Sequence, residues 1–240
     1  MNYQKDIIDS DLTQKHAISR TFTGRVMTYM AAAIAISGIV AYLFGTDMSL
    51  LAYLVNFETG SLKALAWVAI FAPFGLVLLM SAGLEKMSAA TMLGVFMAFS
   101  VLMGISLSTI FLVYSLGSIY LTFFVTAITF GIMAVLGYYT QTDLTKFGGI
   151  LRMAVIGLIV AMVVNMFMGS AMMDYIISMI GVLVFTGLTA YDMQKIRLMG
   201  AQIEPGTQTE SKMALLGALT LYLDFVNLFL FLLRFLGNRD

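Results

Sequence analysis

The sequence predicts an all-α membrane protein with seven transmembrane helices, and three observations carry that prediction. Hydrophobic residues make up 60% of the 240 residues and charged ones only 11%, against roughly 25% charged in soluble domains. Mean hydropathy is +0.95. The apolar residues also gather into runs that can each cross a bilayer, which takes about 20 residues of helix.

Taken in order, the polar stretch Met1 to Arg25 reads as a cytoplasmic tail, residues 1–25, ahead of a first run from Val26 to Gly45. That run is long enough to span, so an uncleaved helix is expected, not a signal peptide. The second run, Leu62 to Gly83, has no ionisable residue between Leu65 and Leu84. The third, Ala89 to Val113, and the fourth, Ile119 to Tyr139, are separated only around Ser115 to Ser118, which predicts an antiparallel hairpin. A fifth run covers Ile150 to Gly169, and a sixth, the shortest, Tyr175 to Tyr191. The segment Leu198 to Ser211, with Pro205 and Gly206, reads as a long flexible connection. The last run, Met213 to Leu236, completes a membrane domain of residues 26–236, followed by a short tail, 237–240. No internal repeat or low-complexity segment is evident.

Lys and Arg accumulate on the cytoplasmic side of membrane proteins. With the N-terminus inside, that side receives Lys5, Lys15, Arg20, Arg25, Lys86, Lys146, Arg152, Lys195, Arg197 and Lys212, and the other only Lys63, Arg234 and Arg239. The bias places the N-terminus in the cytoplasm.

Composition also narrows function. Net charge is zero without long basic or acidic runs, so neither nucleic acid nor a polybasic lipid patch is indicated. The chain has no cysteine, hence no disulfide, thiolate metal site or cysteine nucleophile. His16, the one histidine, sits in the polar tail as solvated surface, and no zinc cluster or Ser-His-Asp set can be built around it. No glycine loop for phosphate is present. The 20 methionines, spread through the runs, read as packing residues.

The chemistry concentrates in two aspartates. LYLDFVNLFLFLLRF, Leu221 to Phe235, is apolar enough for lipid yet carries Asp224, Asn227 and Arg234. A charge at the bilayer centre costs roughly 2.5–3.5 kcal/mol, and ionisable groups that persist there face a bundle interior or an aqueous path. The 15 Leu, Phe and Val residues of the last run outweigh that cost at about 0.3–0.6 kcal/mol each. At 100° per residue Gly217, Thr220, Asp224, Asn227 and Arg234 share one side, which is expected to face protein or water. Asp192, in GLTAYDMQKIR, follows Gly181, Phe185 and Leu188 on one helical face, so it either points into the bundle or sits at the interface beside Lys195. Two carboxylates in contact in low dielectric share a proton and titrate as a pair. Such a pair is a pH sensor, but protonation can either lock the helices or relax them.

Carboxylates suit calcium, which takes 6–8 oxygens. Two aspartates offer too few for a tight site and suit a weak, partly hydrated stop on a permeation path. Thr122, Thr126 and Thr129, Asn165, or the segment Gly104 to Ser108 can add oxygens, or else serve as helix packing contacts.

LYLDFVNLFLFLLRFLG, AYDMQKI, GISLS and VMTYMAAAIAISGIVAY together resemble the Bax inhibitor-1 family, also called transmembrane BAX inhibitor motif proteins, from about Arg20 to Leu236. The resemblance implies a seven-helix bundle with the C-terminal helix central. It implies a pH-sensitive calcium leak channel, not an enzyme, of the bacterial inner membrane, with Asp192 and Asp224 as the functional pair. Calcium ions, protons and the bilayer are the implied partners, with a membrane-anchored quality-control protease as a further one and no cofactor. In that family an arginine ending helix two latches onto the helix-six aspartate; here the nearest basic residue is Lys86, whose ammonium lacks the bidentate fork. Asn227, Asn165, Thr220 and Arg234 are the remaining pore or polar-network candidates. Two alternatives stand beside the channel: a non-transporting membrane regulator of stress responses or of a quality-control protease, as the resemblance allows, and an intramembrane aspartyl protease, which also uses two aspartates on neighbouring helices. Those proteases carry glycines around the second aspartate and a Pro-Ala-Leu motif, and LYLDF has neither.

Overall fold

The computed structural model describes residues 2–238, with side chains from Ala17 onward. The expected solvation of His16 therefore lies outside the described side chains. Helices α1 (Asn2–Thr46), α2 (Met48–Leu51), α3 (Ala64–Ala82), α4 (Ala89–Leu107), α5 (Leu116–Tyr139), α6 (Gly148–Met168), α7 (Ala171–Gly200) and α8 (Gln208–Leu236) follow one another. Short 3-10 turns, Ser108–Leu112 and Leu144–Phe147, extend α4 and precede α6. Among the described residues seven helices are long and apolar enough to cross a membrane.

Several helices outrun their apolar segments. α1 begins at Asn2, so the predicted tail belongs to the same helix as the first span. The sixth segment, expected to be the shortest, lies within the 30-residue α7. Hydropathy marks where hydrocarbon ends, whereas a helix ends only where its backbone hydrogen bonds stop. Asp192, Gln194, Lys195 and Arg197 simply carry α7 out of the apolar zone.

Burial follows the solvent. In α8, 72% of the apolar window is buried, compared with 11–33% in the other spans. Phe167 is 81% exposed and Leu78 69%. Such surfaces suit lipid tails, where interhelical contact relies on close packing and small residues.

The backbone divides into two compact units, and the first comprises Met1–Leu112 and Arg197–Leu219. Phe22, Val26, Met30 and Ala33 of α1 and Met92, Phe96 and Phe99 of α4 are buried in it. Ser37 Oγ donates to Ser100 O over 2.6 Å, and a Cβ on Gly104 would lie 2.7 Å from Ser37 O. A side chain at residue 104 would therefore push α4 off α1. Between α2 and α3, Val55 and Leu62 form an isolated bridge around Gly60, whose φ of +66° favours glycine.

The connection expected to run from Leu198 to Ser211 is only Ala201–Thr207, and it is tied down. Thr207 Oγ1 accepts from Glu210 N at 3.1 Å, a threonine cap on the start of α8. The buried Glu210 carboxylate accepts from Gly206 N at 2.7 Å and from Arg25 Nη1 at 3.2 Å. Lys212 Nζ donates to Leu84 O at 2.6 Å. TQTE resembles a capping box, and here its glutamate reaches one residue further back, to Gly206.

The second unit, Val113–Ile196 and Thr220–Asp240, carries both suspect aspartates. α5 lies so close to α7 that a Cβ on Gly137 would clash with the backbone of Ala190. Gly148 leaves room for the Tyr191 ring, and Gly181 for Phe231. Phe123 and Phe130 of α5 meet Phe225 edge to face, at 5.6 and 5.5 Å between centroids. Gln194 spans the α5–α6 connection, donating to Thr142 O at 2.8 Å and accepting from Leu144 N at 2.9 Å.

Two measurements test this packing. Gly137→Ala should cost about 1–3 kcal/mol in unfolding from detergent, as overpacking does. Gly157→Ala, where nothing lies within 4 Å, should be neutral or slightly stabilising; equal effects would contradict the close approach. Glu210→Ala should raise protease cleavage in Ala201–Thr207 roughly five- to thirtyfold, through a local loss of about 1–2 kcal/mol. Unchanged cleavage would mean that Glu210 does not hold the connection.

Candidate functional site

α7 and α8 run antiparallel, and their seam sets the site. Phe185 and Phe231 stack with centroids 5.6 Å apart. Seven residues on from Phe185 is Asp192, and seven back from Phe231 is Asp224. Seven residues are close to two helical turns, so the seam that pairs the two rings brings the two carboxyls together in the next layer. The Asp192 and Asp224 carboxyls face each other closely enough to interact directly.

This contact is desolvated. Asp192 is 8% exposed and Asp224 5%. Leu188 of α7 and Leu221, Phe225 and Leu228 of α8 are buried around them in sequence. The Thr189 hydroxyl is already used on Phe185 O at 2.8 Å. Among the described residues Asp224 Oδ2 is buried with no hydrogen-bond partner. Lys195, one turn along α7, and Arg152 of α6 act electrostatically on Asp192, so basic groups exist to balance one negative charge at the pair.

A carboxyl–carboxyl hydrogen bond needs a proton between the groups, since two bare carboxylates offer only acceptors. In low dielectric two full charges at that separation repel strongly. The arrangement can therefore hold or release a proton and change the force between α7 and α8 as it does so. No group of three or more His, Cys, Asp or Glu that could hold a metal ion occurs among the described residues.

Lys86 is exposed in the turn after α3 and belongs to the first unit. Within the second unit the basic groups acting on Asp192 are Lys195 and Arg152; sequence reasoning used Arg152 only as an orientation signal. The polar side of α8 splits: Gly217 and Asp224 are buried, Asn227 is half-buried, and Thr220 and Arg234 are exposed. Asn227 Nδ2 is satisfied on its own helix by Leu223 O at 2.8 Å. Thr122 and Thr126 are buried, and the Thr126 hydroxyl donates to Thr122 O at 2.7 Å, which fits packing. Asn165 ends α6, its Oδ1 accepting from Ser170 N at 3.1 Å. It lines a cavity with Arg234 and Asp174 that includes neither Asp192 nor Asp224.

The sequence pattern described as inhibitor of apoptosis-promoting Bax1 matches residues 19–240. An uncharacterized protein of Borreliella burgdorferi is 43% identical over 232 residues, covering 95% of this chain and 98% of that one. The inner membrane protein YbhL of Escherichia coli strain K12 is 41% identical over 229 residues, covering 95% and 96%. An uncharacterized membrane protein of Streptococcus pyogenes serotype M1 is 33% identical over 230 residues, covering 95% and 97%. With a family match across nearly its whole length and seven helices among the described residues long and apolar enough to span, the chain belongs to the Bax inhibitor-1 family of multi-pass membrane proteins.

Proposed function

We propose that the protein is a pH-sensitive calcium leak channel of a bacterial inner membrane, gated by the proton shared between Asp192 and Asp224. The observation that carries this reading is the buried juxtaposition of those two carboxyls. Calcium is the permeating ion and not a resident cofactor. A permeant ion must be bound weakly enough to leave, and the pair alone supplies fewer oxygens than the 6–8 of a tight calcium site. The inner-membrane location draws support from the name of the Escherichia coli relative.

With one proton the pair is bridged and carries one negative charge, which Lys195 and Arg152 balance. This is the closed arrangement. A second proton removes the charge that those cations attract and frees α7 to shift against α8. Flux then rises on acidification, by at most about tenfold per pH unit for a one-proton gate. The chain is not read as a hydrolase, although an aspartate pair is also a means of activating water.

Purified protein in liposomes, loaded with a calcium indicator, tests the gate. Asp224→Asn keeps a donor for Asp192, which still titrates, so its calcium flux should be low near neutral pH and rise on acidification with a midpoint shifted from that of the wild type. Asp192→Asn removes the charge held by Lys195 and Arg152, and its flux should stay high across the range. Wild-type pH profiles in both variants would take the pair out of the mechanism. Cleavage of a transmembrane peptide by the wild type but by neither variant would favour the protease reading.

Orientation follows the charge bias, with the N-terminus in the cytoplasm. Since the chain has no cysteine, single replacements report cleanly. In intact cells Thr59→Cys should react with an impermeant maleimide, and Thr142→Cys should react only after permeabilisation. The opposite pattern would invert the topology.

A further inference from the structure

A cavity of about 470 Å³ lies in the second unit where α6 ends, α7 begins and α8 ends. Its lining combines Asp174, Arg234 and Asn165 with Met162, Met166 and Ile177. Asp174 is 18 residues before Asp192 on α7, about 27 Å along the helix, so this is a separate place from the carboxyl pair. The volume lies within the range of sites for small ligands, roughly 300–1,000 Å³.

The two charges have opposite sign and each belongs to the last or first turn of its helix, the level at which a spanning helix meets lipid headgroups. Arg234 is set by its surroundings: Nη1 lies 3.6 Å from Met162 Sδ, and the guanidinium is 5.9 Å from the Phe231 ring centroid. Asn165 spends its carbonyl oxygen on Ser170 N, so the group it has for a ligand is its NH₂. The cavity thus offers a guanidinium and an amide donor, a carboxylate, and an apolar wall. An anion alone would face Asp174; a cation alone would face Arg234. A zwitterion meets a group of opposite sign at each end.

We propose that this cavity binds one zwitterionic aminophospholipid, with its phosphate on Arg234 and the Asn165 amide and its primary ammonium on Asp174. The acyl end leaves over Met166, which is 73% exposed on α6, the least buried of the spans with 11%. That exposed apolar face is what selects a lipid over a free phosphoamine. A primary ammonium donates hydrogen bonds to the carboxylate, whereas a choline headgroup has no N–H to give.

Native mass spectrometry of the full chain, delipidated in detergent and titrated with lipids of matched acyl chains, tests the assignment. Phosphatidylethanolamine should bind about fivefold or more tightly than phosphatidylcholine and phosphatidylglycerol, the gain of roughly one charge-assisted hydrogen bond. Asp174→Asn should remove that preference while leaving phosphate-dependent binding. Arg234→Gln should weaken all three lipids, and Arg234→Lys, which keeps the charge, should restore most of the binding in a folded protein. Equal binding of the three lipids, a preference that survives in Asp174→Asn, or equally tight binding of soluble glycerophosphoethanolamine would each overturn the proposal.

Discussion

The contact between Asp192 and Asp224 is the constraint around which the second unit is built. Two carboxyls can lie together in a dry place only if a proton joins them and the residual charge has a counterweight. The helices must also approach closely enough for short side chains to meet, because aspartate reaches little further than its own backbone. Gly181 beside Phe231, and the stacked Phe185 and Phe231, hold α7 and α8 at that spacing one layer away. On the other side Gly137 lets α5 press onto the α7 backbone at Ala190, two residues before Asp192. The glycines and rings thus position a pair of acids that lipid alone would never tolerate.

The same economy explains the distribution of burial. In a bilayer an exposed leucine costs nothing, so there is no pressure to hide the apolar side chains of the peripheral spans. A carboxylate is the reverse case, and among the described residues the span that carries one near its middle is also the one most enclosed by protein. α8 is therefore sheltered for the sake of Asp224 and not for its fifteen Leu, Phe and Val side chains. The polar group at its far end is under no such compulsion: Arg234, in the last turn, remains exposed.

Beyond the hydrocarbon the structure returns to ordinary aqueous rules. Glu210, Thr207 and Gly206 satisfy the start of α8 with a cap and a charged hydrogen bond. Gln194 does the equivalent for the α5–α6 connection. These connections are short because side chains replace the backbone partners that a longer loop would leave to water.

Hydropathy is a property of consecutive residues, so the sequence by itself determined the membrane class, the seven spans and the anomaly of a charge in the last one. The YD and YLDF segments were legible for the same reason: an acid inside or beside an apolar run stands out without any knowledge of neighbours. Helix ends were less legible, since Gln194 and Lys195 look like a boundary yet continue α7. Only the tertiary structure decided which residues meet. The rotation of α8 against α7 separates Asp224 from Thr220 and Arg234, which share its side on a helical projection. It also brings Arg152 to bear on Asp192 and gathers Asn165, Asp174 and Arg234 at one cavity. That rotation is set by where glycines admit rings and backbones, a three-dimensional fit between segments far apart in the chain that no local pattern records.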